Sequence, residues 1–275
     1  MVPATLIIGH RGASQQAPEN TLASFRLAFE QGADGIEADF RLTRDGEIVC
    51  LHDDGTLRTA GVDLEAGEAT LAQLRRLDVG AGKGAGWAGE RIPTLKEVLG
   101  ALPSGKLICI ELKSGAEIVA PLAEILDGCG VPPAQIRLLS FDAQLIRLLK
   151  ERLPGYPACW LTEYRFRGAW RPSQEEVLAT LRESRADGLA SSDRAALDAA
   201  LVRALRERGL EIHVWTVDGA RAARRLCALG VDSIMTNRPG GLRRSLAQAP
   251  VTPVGSDAAQ AGQAGQAPPK KGGRP

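Results

Sequence analysis

Short apolar runs alternate with amphipathic stretches along residues 1–247. The runs at 6–10, 35–42, 107–112, 136–140, 158–161, 188–190, 211–217 and 233–236 are nearly continuous in apolar residues, as in Leu107-Ile-Cys-Ile110. That texture suits parallel strands covered on both faces. Between them apolar residues recur at three and four, as in Leu145, Leu148 and Leu149. This spacing predicts helices over 21–31, 95–102, 117–128, 143–152, 175–184, 194–208 and 219–229. Glycines at 32, 209 and 230 supply stop signals. Eight such β-units in a chain of this length favour a closed TIM (β/α)8 barrel over an open doubly wound sheet. No Gly-x-Gly-x-x-Gly follows the first strand, which weakens a nucleotide-binding reading.

Two stretches break the alternation. Between Phe40 and His52, Asp45-Gly46 separates two β-like runs, a two-residue hairpin signal. A two-residue turn there pairs Arg44 with Glu47 and sets Asp39 opposite His52. A glycine-rich stretch at about 53–91 follows, read as a small insertion after the hairpin of the second strand, over one end of the barrel. From 248 to 275 the composition is almost wholly Ala, Gly, Gln, Pro and small polar residues before Lys270-Lys-Gly-Gly-Arg-Pro275. Such a tail cannot offset its ordering entropy and is expected to be disordered, leaving 1–247 as the catalytic barrel domain.

Charge and cysteines narrow the classes of partner. With 34 Lys+Arg against 33 Asp+Glu, the net charge of +1 lacks the footprint that phosphate-backbone binding needs, so no nucleic acid is expected. No apolar run is long enough to span a bilayer, and the first residues lack a basic leader segment. Stable membrane insertion is therefore not expected. The five cysteines show no Cys-x-x-Cys spacing and four lie in apolar runs, which points to reduced, buried thiols and a cytoplasmic location.

In a parallel barrel, chemistry gathers where strands end. The first candidate strand ends in His10-Arg11, the second carries Glu37-Ala-Asp39, and the third ends in Glu111-Leu-Lys113. Residues two apart on a strand leave by one face, so Glu37 and Asp39 point together, as do Glu111 and Lys113. Three carboxylates at one barrel end resist joint ionisation without a cation, and an all-oxygen ligand set selects Mg2+ or Ca2+ over zinc. The competing reading is an ion-pair network of those acids with Arg11, Arg41 and Lys113. His10 and His52 each follow an apolar run at its charged end and suit acid–base work near neutral pH. Arg11 and Lys113 supply charge for an anionic substrate. His213, with nothing else to mark it, reads as structural.

These residues fall in blocks. His10-Arg-Gly-Ala-Ser-Gln-Gln-Ala-Pro-Glu-Asn-Thr21, Gly35-Ile-Glu-Ala-Asp39, Thr43-Arg-Asp-Gly46, His52-Asp53, Ile110-Glu-Leu-Lys113, Val214-Trp-Thr-Val217 and Gly230-Val-Asp-Ser-Ile-Met-Thr-Asn237 together strongly resemble glycerophosphodiester phosphodiesterases. The resemblance implies a phospholipase-C-like TIM barrel of the cytosolic bacterial type. It implies that Glu37, Asp39 and Glu111 hold one divalent metal, Mg2+ or Ca2+. His10 and His52 would be the acid–base pair, Arg11 would contact the phosphate, and Lys113 would bind phosphate or substrate hydroxyls. Glu19 is expected to contribute to the site, Asn20 to cap the helix near Thr21, and Trp215 to form an apolar wall against glycerol. Asp218 stands where the family usually has Asn, a departure touching one local hydrogen bond.

The implied reaction is hydrolysis of glycerophosphodiesters such as glycerophosphocholine or glycerophosphoethanolamine to sn-glycerol 3-phosphate and an alcohol. Either water or the glycerol 2-hydroxyl is permitted as first nucleophile. The alternatives are a lysophospholipase D-type reaction, for which the 4% aromatic chain offers no evident apolar channel, and an inactive diester-binding barrel. The leaving alcohol, the choice of metal and the oligomeric state stay open at this point.

Overall fold

The computed structural model describes residues 5–248. Among the described residues, eleven strands run in chain order: β1 Leu6–His10, β2 Gly35–Leu42, β3 Ile48–Cys50, β4 Leu107–Leu112, β5 Ile136–Ser140, β6 Ala158–Thr162, β7 Arg165–Phe166, β8 Trp170–Arg171, β9 Gly188–Ser192, β10 Glu211–Trp215 and β11 Ser233–Thr236. The helices are α1 Leu22–Glu30, α2 Leu57–Ala60, α3 Leu71–Leu74, α4 Leu95–Gly100, α5 Val119–Gly128, α6 Ala143–Arg152, α7 Gln174–Ser184, α8 Ala199–Arg206, α9 Ala220–Leu229 and α10 Pro239–Ala247. Eight strands pair in parallel as β1-β2-β4-β5-β6-β9-β10-β11, and β11 returns to β1, closing a TIM barrel. The expected tail lies outside the described residues beyond Gln248.

Most elements coincide with the apolar pattern, and the exceptions have local causes. Helix α8 begins five residues later than its pattern suggests because the Asp198 carboxylate caps it, accepting from the Ala200 and Leu201 N–H groups at 2.9 Å. Asn20 does not cap α1. Thr21 does, accepting from Ser24 N–H at 3.2 Å, which frees Asn20 for another task. The hairpin register is also corrected: Phe40 pairs with Cys50 and Leu42 with Ile48, so Asp39 lies opposite Leu51 rather than His52. Thr43 N–H bonds Glu47 O at 2.8 Å, making a three-residue turn through Arg44-Asp45-Gly46, with Gly46 left-handed at φ 82°. Glycine at that turn position absorbs the extra residue that a two-residue count omits.

Apolar strand residues pointing outward pack under the helices, as Ile36, Ala38 and Phe40 do with Phe25, Ala28 and Leu95. Inside the barrel a smaller plug of Ile8, Cys109, Leu139, Cys159, Leu161, Ala190 and Met235 fills the middle. The insertion has its own buried set, Val49, Ala69, Leu74, Val79 and Ile92, which fastens it to the back of β3. Cys50, Cys109 and Cys159 are buried as expected; Cys227, on the outer side of α9, is exposed, since its helical position faces away from the sheet.

Below the plug, at the N-terminal mouth, the Arg137 guanidinium grips both Glu211 oxygens at 2.6 and 2.9 Å. His213 bridges Glu211 at 3.0 Å and Ser233 at 2.8 Å. A cavity of about 170 Å3 opens beside them. Cys159 lies within reach of Glu211 and His213, but the guanidinium already neutralises that carboxylate. Burial alone would raise the Glu211 carboxyl; hydrogen bonds from His213 and Arg137 outweigh it and bring it down to about 2. Glu211→Gln is therefore expected to lower stability at neutral pH by about 1–3 kcal/mol in urea unfolding. A carboxyl lowered by folding stabilises above its unfolded value, so the gap between wild type and variant should close as pH falls from about 5 towards 2.

Candidate active site

The C-terminal rim is built from three adjacent strands. His10 on β1 pairs with Glu37 on β2, and Asp39 on β2 pairs with Glu111 on β4. Parallel register therefore sets the three acids side by side. A ligand oxygen from each of Glu37, Asp39 and Glu111 lies within 4.8 Å of the others, and all three residues are buried.

The loop after β1 turns in a tight space. Gly12 has φ 81°, and a Cβ there would come within 2.6 Å of the Ser24 carbonyl carbon, so only glycine fits beneath α1. Arg11 and Asn20 are both left-handed, at φ 54° and 58°, conformations that cost non-glycine residues energy and concentrate at functional sites. The outcome is that the Arg11 N–H donates to Glu37 Oε2 at 3.0 Å while its guanidinium reaches Glu19 at 2.9 Å and Asp39 at 3.2 Å. Asn20, 4% exposed, donates its amide to Asp39 Oδ2 at 2.8 Å and accepts from Asp39 N–H at 3.3 Å and the Cys50 thiol at 3.3 Å.

Charge balance across the three acids is uneven. Lys113 pairs with Glu111 and lies 3.1 Å from Asp39 Oδ1. Burial raises Asp39, but Lys113 and Arg11 outweigh it and hold the carboxyl low. Burial followed by the Asp39 charge pushes both Glu37 and Glu111 well above the usual carboxylate range. Glu37 Oε1 is buried with no hydrogen-bond partner. The ion-pair network thus accounts for Asp39 and part of Glu111, while Glu37 has the Arg11 N–H on one oxygen and no partner on the other. Arg41 takes no part in it: its guanidinium turns outward to Asp54 at 2.6 Å and to the His52 carbonyl at 2.7 Å. A buried oxygen without a partner beside two more carboxylates fits a hard divalent cation.

The histidines flank this cluster differently. His10 Nε2 is 3.9 Å from Glu37 Oε2, and its Nδ1 lies 2.8 Å from Asn237 Oδ1. His52 Nδ1 lies 2.7 Å from Asp53, whose other oxygen accepts from Arg58 at 2.6 Å. Burial, the largest cause in each case, lowers both imidazoles; for His10 the Arg11 charge adds to it. Arg58, on the insertion helix α2, also forks onto Glu19 at 2.7 and 2.8 Å, tying the insertion to Arg11 through one shared carboxylate. Trp215 and Phe141 meet edge to face at 5.7 Å, and Lys113 sits 5.8 Å over the Phe141 ring, forming an apolar flank. A polar cleft of about 420 Å3 beside Lys113 is lined by Arg41, Asp54, Glu65, Ser114 and Glu117 among others.

The sequence matches the Glycerophosphoryl diester phosphodiesterase family over residues 10–241. The chain belongs to the glycerophosphodiester phosphodiesterase family. It is 32% identical over 239 residues to a glycerophosphodiester phosphodiesterase of Caldanaerobacter subterraneus subsp. tengcongensis, covering 86% of this chain and 95% of that one. A phosphodiesterase of Oleispira antarctica, solved with the product sn-glycerol-3-phosphate, superposes with a TM-score of 0.78 at 28% identity, covering 89% of this chain and 98% of that one. The glycerophosphodiester phosphodiesterase of Thermotoga maritima gives a TM-score of 0.72 at 28% identity, covering 89% and 99%. The enzyme is thus a glycerophosphodiester phosphodiesterase, and among its described residues no helix is long and apolar enough to cross a membrane.

The structure brings all nine sequence candidates to the C-terminal end of the barrel: His10, Arg11, Glu19, Glu37, Asp39, His52, Glu111, Lys113 and Trp215. It adds Asn20, Asp53, Arg58, Phe141 and Asn237, which hold or flank them. Arg58 could have been suspected as a lone cation at the start of the insertion; Asn237 closes one of the resembling blocks, but its contact with His10 shows only once β11 is placed beside β1. Asn20→Gly keeps the left-handed backbone accessible and removes only the amide. We expect it to cost about 1–3 kcal/mol in urea unfolding and to reduce turnover by about 10- to 100-fold. Unchanged turnover would mean that Asp39 is held adequately without it.

Proposed function

We propose that the enzyme hydrolyses glycerophosphodiesters of small polar alcohols to sn-glycerol 3-phosphate and the alcohol, with His10 as base, His52 as acid, and one divalent cation held by Glu37, Asp39 and Glu111. The observation that carries this reading is the buried, uncompensated Glu37 oxygen in a three-carboxylate cluster between two histidines. A bound Mg2+ or Ca2+ would supply Lewis-acid charge for a phosphoryl oxygen and its attacking partner.

The remaining chemistry belongs to the chain. Arg11 and Lys113, both with side chains below one-fifth exposed, present preorganised positive charge to the phosphoryl oxygens. His10 Nε2 faces Glu37 and takes the proton from the attacking hydroxyl, that of water directly or of the glycerol 2-position, the latter giving a cyclic phosphate that water then opens. His52, paired with the Asp53 carboxylate, is better supported in its protonated form than His10, paired with a neutral amide, so it donates to the departing alcohol oxygen. Trp215 and Phe141 cover the apolar edge of glycerol. The cleft next to Lys113 is lined by charged side chains, which supports a hydrophilic headgroup over an acyl chain, with lysophospholipids as the second reading.

The direct test is glycerol 3-phosphate release from glycerophosphocholine with Mg2+, Ca2+ or EDTA. We expect cation-dependent release in wild type and at least about a 1,000-fold loss in Glu37→Ala. Release that ignores both chelator and substitution would contradict the carboxylate site. The acid assignment is tested separately: His52→Ala should lose about 100- to 10,000-fold with glycerophosphocholine but far less with a p-nitrophenyl diester, whose leaving group needs no proton. Equal losses on both would remove His52 from that role.

A further inference from the structure

Asn237 can face His10 in two ways, because its amide oxygen and nitrogen are nearly interchangeable in shape. In one orientation its oxygen accepts a hydrogen bond from His10 Nδ1–H; in the other its nitrogen donates one to Nδ1. The choice decides which ring nitrogen of neutral His10 keeps its hydrogen, and so whether Nε2, the nitrogen facing Glu37, is an acceptor.

Asp218 settles that choice. It lies between β10 and β11, and its carboxylate receives three hydrogen bonds at 2.8 Å: Thr236 Oγ1–H and Asn237 N–H on Oδ1, and the Asn237 side-chain amide on Oδ2. A carboxylate only accepts. Turning the Asn237 amide over would set its oxygen against Asp218 Oδ2, two acceptors at hydrogen-bond distance. The nitrogen must therefore face Asp218, and the oxygen must face His10 at 2.8 Å, where Ser14 Oγ also approaches it at 2.9 Å. His10 then has only one neutral form that fits, with its hydrogen on Nδ1.

We propose that Asp218 is a positioning residue for the reaction: by fixing the direction of the Asn237 amide, it keeps the His10 hydrogen on Nδ1 and leaves Nε2 free to accept a proton from the attacking hydroxyl. This rests on the reading of His10 as base. It also gives a function to the Asp that stands where the family usually has Asn. The effect is local and directional. An amide at 218 would still accept from Thr236 and from the Asn237 N–H through its oxygen, but its nitrogen would then oppose the Asn237 nitrogen. The Asn237 amide would turn over and donate to Nδ1, moving the His10 hydrogen to Nε2. A carboxylate at 237 backed by an amide at 218 restores every donor–acceptor match, so exchanging the two residues should undo the harm of changing one.

The tautomer is read directly from the ring nitrogen shifts of His10 in 15N-histidine-labelled full-length protein at a pH where the ring is neutral, assigned with His10→Gln. The kinetic arm compares kcat and KM for glycerophosphocholine. Wild type is expected to carry the hydrogen on Nδ1. Asp218→Asn should move it to Nε2 and lower kcat by about 10- to 100-fold with KM within about threefold. The exchange Asp218→Asn with Asn237→Asp should return the Nδ1 form and most of kcat. A wild-type hydrogen on Nε2 overturns the proposal without any variant, and so does an Nδ1 form that persists in folded Asp218→Asn. A tautomer that moves as expected with kcat unchanged upholds the control of the ring by Asp218 and overturns His10 as base, which separates the two failures.

Discussion

Asp39 and Glu111 occupy paired positions on neighbouring parallel strands, and Glu37 precedes Asp39 by two residues on the same inward face. Strand register thus forces three carboxylates into one buried corner, where each charge is costly in proportion to the loss of water around it. Much of the rim answers that constraint. Arg11 bends through a left-handed turn to bring both its N–H and its guanidinium to the acids; Lys113 stands between Asp39 and Glu111; Asn20 ties Asp39 from the opposite side. What these groups leave uncovered is the Glu37 oxygen, and that is where we place the demand for a cation.

The surrounding structure keeps this corner rigid and dry from below. The apolar plug of Ile8, Cys109, Leu139, Cys159, Leu161, Ala190 and Met235 separates the acids from the charged floor at Arg137, Glu211 and His213. The floor therefore neutralises its own charge without drawing on the groups around the acids above. Above, the insertion reaches the site through Arg58, whose two carboxylate partners serve different machinery: Glu19 braces Arg11, and Asp53 braces His52. One side chain from outside the barrel thus joins the carboxylate that braces Arg11 to the one that braces His52.

Much of this was legible in the sequence because it depends on period two. Inward alternation along β2 and β4 locates Glu37 with Asp39 and Glu111 with Lys113 without any knowledge of the fold. The apolar runs mark all eight barrel strands for a different reason, since both faces are covered and the runs are continuous. What failed were features set by single backbone conformations. The left-handed Gly46 lengthened the hairpin turn by one residue and displaced His52 from its expected partner. The left-handed Asn20 moved from a helix cap into the site, because Thr21 serves equally well as the cap. The two-stranded ribbon β7–β8 and helix α10 escaped notice because strands of two residues, and a helix opening on Pro-Gly-Gly, carry almost no periodic signal. Asn237 and Asp218 were invisible as a pair because the contact from Asn237 to His10 crosses the barrel's closing seam, 227 residues away in sequence.

The most direct measurement is thermal unfolding of wild type and Glu37→Gln in EDTA, Mg2+ and Ca2+. If the uncompensated acids create the cation site, at least one of the two ions should raise the wild-type midpoint by several degrees, as binding to the folded state alone requires. Glu37→Gln, with one buried charge removed, should unfold at a higher temperature than wild type in EDTA and lose most of the cation-dependent rise. A wild-type midpoint indifferent to both ions, with Glu37→Gln unfolding lower in EDTA, would mean that the chain already neutralises its own acids.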